Sequence, residues 1–262
     1  MDLGLTDRAA IVTGGSRGIG LAISRRLVAE GARVLAIGRR EDALRAAAAE
    51  LGEGCTWTVA DITAPEAGER VVAACREAFG RVDVLVNNAG GNTLRALEDL
   101  DDEEYRSQFE LHVMAPMRLM RSAIPAMLEQ GWGRVVNICS TSGRRPGSNN
   151  LAYGVSKAAE LSLSRGYAEH YAARGVLVNA VNPGPIEGEL WHAPGGLVDQ
   201  IAQAQGTTRD QVLDSLVSRL PLRRMGTPDD IADVVALLCS QRAGNVVGAA
   251  WSADSGAVSS IF

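Results

Sequence analysis

The chain has 262 residues, 46% of them hydrophobic, which suits one large α/β domain or two small ones. A net charge of −5 with scattered arginine pairs argues against nucleic-acid binding, because that function needs a clustered basic face. The N-terminus has no signal-peptide pattern, no apolar run approaches the ~20 residues of a membrane span, and four distant cysteines lack metal-ligand spacing. We therefore expect no metal, no nucleic acid and no membrane partner, and a reducing, cytoplasmic setting.

Short runs rich in β-branched residues alternate with alanine-rich stretches along most of the chain. In chain order, strands are predicted at 8–13, 33–37 and 56–61, then at 83–90, where the strand runs into a loop, and at 134–140, 176–184 and 248–253. Helices are predicted at 19–30, 41–51, 65–79, 103–129, 152–174 and 228–240. This alternation predicts an α/β fold, a doubly wound parallel sheet with helices on both faces. No linker or repeat interrupts it, so a single domain over 1–262 is expected. Segment 185–227 breaks the rhythm, with no predicted strand and too polar a composition for core.

A glycine-rich loop, "VTGGSRGIG" (12–20), lies between the first predicted strand and the first helix. Glycines at 14, 18 and 20 allow a tight turn and close approach to a pyrophosphate, and the helix N-terminus supplies N–H groups and partial positive charge. A glycine-rich turn without a ligand is the alternative. The position between strand and helix favours dinucleotide binding.

The end of the second strand indicates which dinucleotide binds. An acidic residue there accepts hydrogen bonds from the ribose of NAD, whereas arginine accommodates the 2′-phosphate of NADP. The sequence places Gly38 at that position, followed by Arg39, and Arg17 can reach the same ribose from the glycine loop. These residues favour NADP(H) over NAD(H), although solvated surface arginines would look the same.

Lys157 is the only lysine of the chain, beside 25 arginines. It lies four residues after Tyr153 on a predicted helix, so the two side chains share one face. A tyrosine, with an ordinary pKa of about 10, needs a nearby cation to act as an acid or base near neutrality. Ser140, at the end of the fifth predicted strand, is placed to hydrogen-bond a substrate oxygen beside Tyr153. A surface ammonium with no role is the alternative for Lys157.

Together, "TGGSRGIG", "NNAG" (87–90), Ser140, "YGVSK" and "NPG" (182–184) resemble the short-chain dehydrogenase/reductase family over nearly the whole chain. The resemblance implies a Rossmann-type domain that transfers a hydride between nicotinamide and a carbonyl or alcohol carbon. It implies that Tyr153 is the general acid/base, that Ser140 orients the carbonyl, and that Lys157 binds the nicotinamide ribose and shifts Tyr153. It also implies a homotetramer built on the two long helices, and a substrate lid at 185–227. The cofactor contacts that follow are Gly14, Ser16, Arg17, Gly18, Ile19, Gly20, Arg39, Asp61, Ile62, Asn88, Ala89, Gly90, Tyr153, Lys157, Pro183, Gly184 and Ile186.

One position departs from the family pattern. The family usually has an asparagine 28 residues before the serine, whose backbone carbonyl holds a water of a proton relay; here that residue is His112. Pro116, four residues on, has no N–H, so the carbonyl of His112 lacks its usual helical donor. His112 is then either a neutral, hydrogen-bonded replacement or a fourth catalytic group titrating near pH 6.5.

The expected function is an NADPH-dependent oxidoreductase acting on a small ketone or secondary alcohol. A 3-oxoacyl-carrier-protein reductase is an alternative. A carrier protein is acidic and needs a basic docking patch, but the stretch "MLEQGW" (127–132), near the expected entrance of the active site, is not basic. A nucleotide-binding regulator without turnover is the alternative from another class. Within the lid, Trp191 either contacts an apolar part of the substrate or packs for stability.

Overall fold

The computed structural model of the protein describes residues 1–92 and 94–259. Seven strands form one sheet in the order β3-β2-β1-β4-β5-β6-β7, and every neighbouring pair is parallel. The strands are β1 (Ala9–Thr13), β2 (Arg33–Gly38), β3 (Cys55–Val59), β4 (Val84–Asn87), β5 (Gly133–Ile138), β6 (Val176–Pro183) and β7 (Ala250–Ala253). The predicted fold class is confirmed.

Helices cover both faces of the sheet. They are α1 (Gly18–Ala29), α2 (Glu41–Leu51), α3 (Ala67–Phe79), α4 (Asp102–Phe109), α5 (Ala115–Glu129), α6 (Leu151–Tyr171), α7 (Glu189–His192), α8 (Leu197–Gln205), α9 (Arg209–Arg219) and α10 (Pro228–Cys239). Successive strand residues pack into the hydrophobic cores on opposite faces of the sheet. Ile11 lies in the cluster under α3, α5 and α6, whereas Val12 lies in the cluster under α1 and α10. Burial on both faces explains why the strands are almost continuously apolar.

The helix predicted over 103–129 is not continuous. A π-helical turn, Glu110–Met114, separates α4 from α5, and the Ala115 N–H bonds the Glu110 carbonyl five residues back. Pro116 explains the break, because it cannot donate to the carbonyl of His112 in a regular helix. The helix predicted over 152–174 likewise ends at Tyr171 and continues as a 3-10 turn, Ala172–Arg174.

Segment 185–227 contains α7, α8 and α9 and an isolated β-bridge between Ile186 and Gly226. Its side chains Val198, Ala202 and Val212 are buried together. The expectation that this segment is too polar for core is therefore wrong. Val198 and Ala202 lie four residues apart, so one face of a mostly polar helix still forms a small apolar contact.

The four cysteines are free thiols, as predicted. Burial raises the pKa of Cys55 to about 11 and that of Cys239 to about 12, which leaves these thiols protonated and unreactive at neutral pH. Across the described ranges, no helix has the length and apolar character needed to cross a membrane.

Candidate active site

The order of the strands fixes where a ligand binds. The chain runs outward from β1 to β3 and then returns to β4 on the other side of β1. Ligands of open parallel sheets bind beyond the carboxyl ends of the strands at this reversal. The glycine loop follows β1 there, and the "NNAG" segment follows β4.

The glycine loop has the shape that a pyrophosphate requires. Gly14 and Gly18 have φ angles of +64° and +51°, which favour glycine. A Cβ on Gly20 would stand 2.1 Å from the Gly14 carbonyl oxygen, whereas one on Gly18 would meet no atom within 4 Å. Gly20 thus closes the turn, and Gly18 leaves an open cradle. Helix α1 begins there, and Arg17 at its N-cap makes no side-chain capping bond, so the first N–H groups remain suited to an anion.

The end of β2 lies beside this loop. A Cβ on Gly38 would stand 3.6 Å from the Ser16 Oγ, an ordinary contact, so position 38 has room for a Cβ. Arg39 is exposed, and its charge helps to lower the pKa of Asp61, after the larger contribution of hydrogen bonds from Thr63. Predicted residues Ser16, Arg39 and Asp61 therefore surround one corner of the cradle.

Arg17 makes a contact that the sequence did not predict. Its Nη1 lies 3.0 Å from the Glu189 Oε2 of α7, in an exposed ion pair between the glycine loop and segment 185–227. A 2′-phosphate and Glu189 would therefore compete for this guanidinium.

Thr13, at the end of β1, holds the loop after β4 in place. Its Oγ1 accepts hydrogen bonds from the backbone N–H groups of Asn88 (2.9 Å) and Ala89 (3.0 Å). The Asn88 side chain donates back to the Thr13 carbonyl at 2.8 Å. Sequence reasoning assigned Thr13 no role, although it lies within the glycine loop (12–20) at the end of the first predicted strand.

Ser140 follows β5 and is nearly buried. Its Oγ accepts a hydrogen bond from the Ser142 N–H at 3.1 Å, which leaves the hydroxyl proton free to donate. The turn after Ser140 packs tightly on α6, since a Cβ on Gly143 would stand 2.8 Å from the Lys157 carbonyl carbon, and one on Gly154 would stand 2.9 Å from the Pro146 Cβ. These two glycines bring Ser140 to the Tyr153 helix, and no sequence pattern singled them out.

His112 lies edge-on to Tyr153, with ring centroids 5.3 Å apart at 83°. Its Nε2 accepts a hydrogen bond from the Gly91 N–H at 3.3 Å, which places the proton on Nδ1. That proton points to the Ser156 Oγ at 3.0 Å, and Ser156 in turn donates to the Tyr153 carbonyl at 2.8 Å. The ring thus joins the cofactor-lining loop to the Tyr153 helix.

Burial, and then the positive charge of Lys157, lower the pKa of His112 to about 2. Of the two readings of this residue, the structure supports the neutral, hydrogen-bonded one. The π-helical turn that carries His112 also explains how a side chain in a long helix reaches both neighbours.

The Lys157 ammonium is buried and stands 5.8 Å from the centre of the Tyr153 ring. It donates to the Ile138 carbonyl at 2.9 Å and to the Glu160 Oε2 at 2.8 Å. Burial acts to lower the pKa of Lys157, but the Glu160 carboxylate leads the opposing charges and the net shift is upward. The sequence placed Lys157 correctly beside Tyr153 and missed Glu160, although the spacing of three residues on a helix was visible.

The remaining predicted contacts follow β6. A Cβ on Gly184 would stand 2.7 Å from the Asp254 carbonyl oxygen, so this turn packs directly on the loop after β7. Pro183 ends β6, and the Ile186 side chain is buried in the core under α1 and α10.

Trp191 packs against the buried cluster of segment 185–227, which supports a structural role for it. Residues 1–92 and 94–259 contain no group of three or more metal-ligating side chains.

Comparison with known proteins identifies the family. The family described as short chain dehydrogenase matches residues 8–194. The chain belongs to this family. It is therefore an oxidoreductase that acts on CH–OH and C=O groups with a nicotinamide cofactor. The cradle, with its open position above Gly18 and the uncapped start of α1, fits that cofactor.

The similarity extends over entire chains. The crystal structure of L-sorbose reductase from Gluconobacter frateurii, complexed with NADPH and L-sorbose, is 32% identical and superposes with a TM-score of 0.93, covering 100% of both chains. The 3-oxoacyl-[acyl-carrier-protein] reductase of Escherichia coli is 32% identical over 92% of this chain and 93% of its own. A sorbitol dehydrogenase of Cereibacter sphaeroides is 30% identical over 96% of this chain and 98% of its own.

Proposed function

We propose that the protein uses NADPH to reduce a small polar ketone, or NADP⁺ to oxidise the corresponding secondary alcohol. The observation that carries the proposal is the convergence of Ser140, Tyr153 and Lys157 beside a dinucleotide cradle. The turn after Ser140 packs on α6 at Lys157, and Lys157 lies 5.8 Å from the Tyr153 ring. His112 links this group to the "NNAG" loop.

Each side chain has a separate role in the reduction. When bound, the nicotinamide supplies the hydride for reduction or accepts it in oxidation. Ser140 keeps its hydroxyl proton and donates a hydrogen bond to the carbonyl oxygen, which holds the substrate in position. Tyr153 transfers its phenolic proton to the same oxygen as negative charge develops there. Lys157 supplies the positive charge that stabilises the phenolate left behind.

The proposed cofactor contacts are those expected from the sequence. The pyrophosphate lies over Gly14, Ser16, Gly18, Ile19 and Gly20, and Arg17 and Arg39 hold the 2′-phosphate. Asp61 and Ile62 border the adenine, and Asn88, Ala89 and Gly90 line the middle of the cofactor. Tyr153 and Lys157 lie at the nicotinamide ribose, and Pro183, Gly184 and Ile186 hold the carboxamide end. The preference for NADP(H) is supported by exposed Arg39 and by glycine, rather than an acid, at position 38.

The proposed substrate is a small polar ketone of the ketose type. The full-length similarity to L-sorbose reductase supports this class. Segment 185–227 is proposed as the substrate lid, with Arg17–Glu189 as its contact to the cofactor cradle. We further propose a single cytoplasmic domain that forms a homotetramer. Exposed apolar side chains on α4 (Phe109) and α6 (Val155) support packing of the long helices between subunits.

The test compares cofactor binding and turnover. NADPH should bind more tightly than NADH, and Arg39→Asp should reverse that order, because a carboxylate repels phosphate. Turnover is measured against ketoses, simple ketones and a 3-oxoacyl thioester. A wild-type preference for NADH would contradict the cofactor assignment. Binding of NADPH without turnover on any carbonyl would favour a non-catalytic regulator, and the thioester as best substrate would favour a carrier-protein reductase.

A further inference from the structure

The floor of the proposed active site contains a buried ion pair. The side chains of Lys157 and Glu160 are only 4% and 2% exposed, and their charged atoms stand 2.8 Å apart one helical turn from each other on α6. With the Ile138 carbonyl also bound, two of the three ammonium N–H groups are used within the protein. The third N–H group is left for the nicotinamide ribose, which the family resemblance implies that Lys157 binds.

We propose that Glu160 is a positioning residue of the reaction, which fixes the Lys157 ammonium under the active site and reduces the positive field that Lys157 exerts on Tyr153. The inference rests on the proposed function, because it assigns to Glu160 a role that acts through the Tyr153 and Lys157 pair. Lys157 is the only lysine among the 26 lysine and arginine residues of the chain. Its compact ammonium can donate from one point to both the Ile138 carbonyl and Glu160, whereas the donors of a guanidinium lie in a planar fork.

Few other ionisable groups face this pair. Tyr153 lies on the same helix, His112 faces Lys157 from the π-helical turn, and Cys139, next to β5, contacts Glu160. Burial keeps the Cys139 thiol protonated by raising its pKa, and His112 is neutral. Strand β6 has no ionisable side chain.

Helix α4, which also packs on α6, has two acidic groups that lie in other contacts. Glu104 binds Arg95 and Gln108, and Asp102 binds Arg106. Glu160 is thus the negative group that lies directly against the ammonium.

The charge of Glu160 determines how readily the active site loses a proton. Burial raises the pKa of the Glu160 carboxyl and the ammonium opposes that shift, since a charge-assisted bond favours the carboxylate. A carboxylate beside Lys157 and Tyr153 makes it harder for that pair to release a proton, whichever of the two gives it up. Without Glu160, the first ionisation of the pair must move to lower pH.

The experiment measures turnover against pH for wild type, Glu160→Gln and Glu169→Gln. Glu169 is on the same helix but exposed, paired with Arg165, and serves as the matched control. We expect the alkaline limb of the Glu160→Gln profile to move down by about 1 pH unit, the lower end of the shift that a charge a few ångströms away produces. The control should keep the wild-type limb. A Glu160→Gln limb that coincides with the wild type, or moves upward, would overturn the proposal.

A second measurement does not depend on turnover. The phenolate absorbance of Tyr153 is the difference between titrations of the wild type and of Tyr153→Phe, since the chain has only four tyrosines. The same difference in the Glu160→Gln background should show ionisation at lower pH. If the wild type reduces no ketone, the proposed function fails, while this titration still decides the role of Glu160.

Removing one partner of a buried ion pair is destabilising, so Glu160→Gln needs a companion variant. Glu160→Asp keeps the charge and withdraws it by one methylene. Its limb should lie between those of the wild type and Glu160→Gln. If Glu160→Gln does not fold, a limb of Glu160→Asp below that of the wild type supports the proposal, and a coincident limb overturns it.

Discussion

Protonation of His112 should make the protein unusually sensitive to mild acid. The ring is fully buried, its two nitrogens are committed to Gly91 and Ser156, and its folded-state pKa is lowered to about 2. In the unfolded chain the ring titrates near 6.5. Because the folded pKa is the lower one, the unfolded chain takes up the proton first. The stabilising contribution is therefore complete above about pH 6.5 and declines as the pH falls toward the folded pKa.

The size of the effect follows from the shift. Each pH unit below 6.5 costs about 1.4 kcal/mol of unfolding free energy, so by pH 5 the loss through this one ring is about 2 kcal/mol. That is a large part of the ~5–15 kcal/mol that stabilises a typical domain. Carboxylates that also titrate contribute equally to the wild type and to a variant that lacks only this ring.

The assay compares the wild type with His112→Asn by urea denaturation from pH 7.5 to pH 5, at one protein concentration. Asparagine removes the titration and will also change stability by a constant amount. We expect the wild-type advantage to shrink by about 2 kcal/mol between pH 7.5 and pH 5. His170→Asn, which makes the same replacement at an exposed position on α6, serves as the control variant. A pH-independent difference between the wild type and His112→Asn would refute the buried, neutral assignment.

Three further predictions concern the cofactor and the lysine. Gly38→Asp should raise NADH affinity and lower NADPH affinity by about tenfold each, because the acid binds ribose hydroxyls and repels the phosphate; fluorescence titration showing unchanged order would contradict it. Glu189→Gln should tighten NADPH binding by about twofold to fivefold, because it frees Arg17 from its exposed ion pair with Glu189, which is worth at most ~1 kcal/mol. Unchanged NADPH affinity would show that Arg17 does not hold the phosphate. Lys157→Met should lower the free energy of unfolding by about 3–5 kcal/mol, because it leaves Glu160 buried and unpaired. The double variant Lys157→Met/Glu160→Leu should regain stability but not turnover. Recovery of both stability and turnover would remove the lysine from the reaction.

The features that depend on local spacing were predictable from the sequence. The alternation of strands and helices predicted the sheet, and the four-residue spacing of Tyr153 and Lys157 predicted their shared helix face. Gly38 and Arg39 could be placed at the end of β2 from the alternation of strands and helices. The glycine loop, Arg39 and Ser140 then lie at one edge of the sheet, because parallel strands end on the same side.

The features that depend on contacts between distant segments were not predictable. The π-helical turn arises from Pro116, yet its consequence, a His112 ring between Gly91 and Ser156, requires the packed α6 helix. The approach of the Ser140 turn to α6 depends on Gly143, whose role appears only when the two backbones are seen together. The pairing of Glu160 with Lys157 was partly predictable, because the sequence shows their three-residue spacing. The burial of Glu160 was not predictable from the sequence.

The central claim is that Tyr153 protonates a carbonyl oxygen while the cofactor delivers a hydride. It is tested most directly by following the transfer of deuterium from 4-deuterated NADPH to a ketose in the wild type and in Tyr153→Phe, with mass spectrometry of the alcohol formed. The account predicts labelled alcohol from the wild type and a rate about 10²-fold or more lower from Tyr153→Phe, with NADPH affinity retained, since the variant loses one proton and little volume. Label transfer by Tyr153→Phe at the wild-type rate would contradict it.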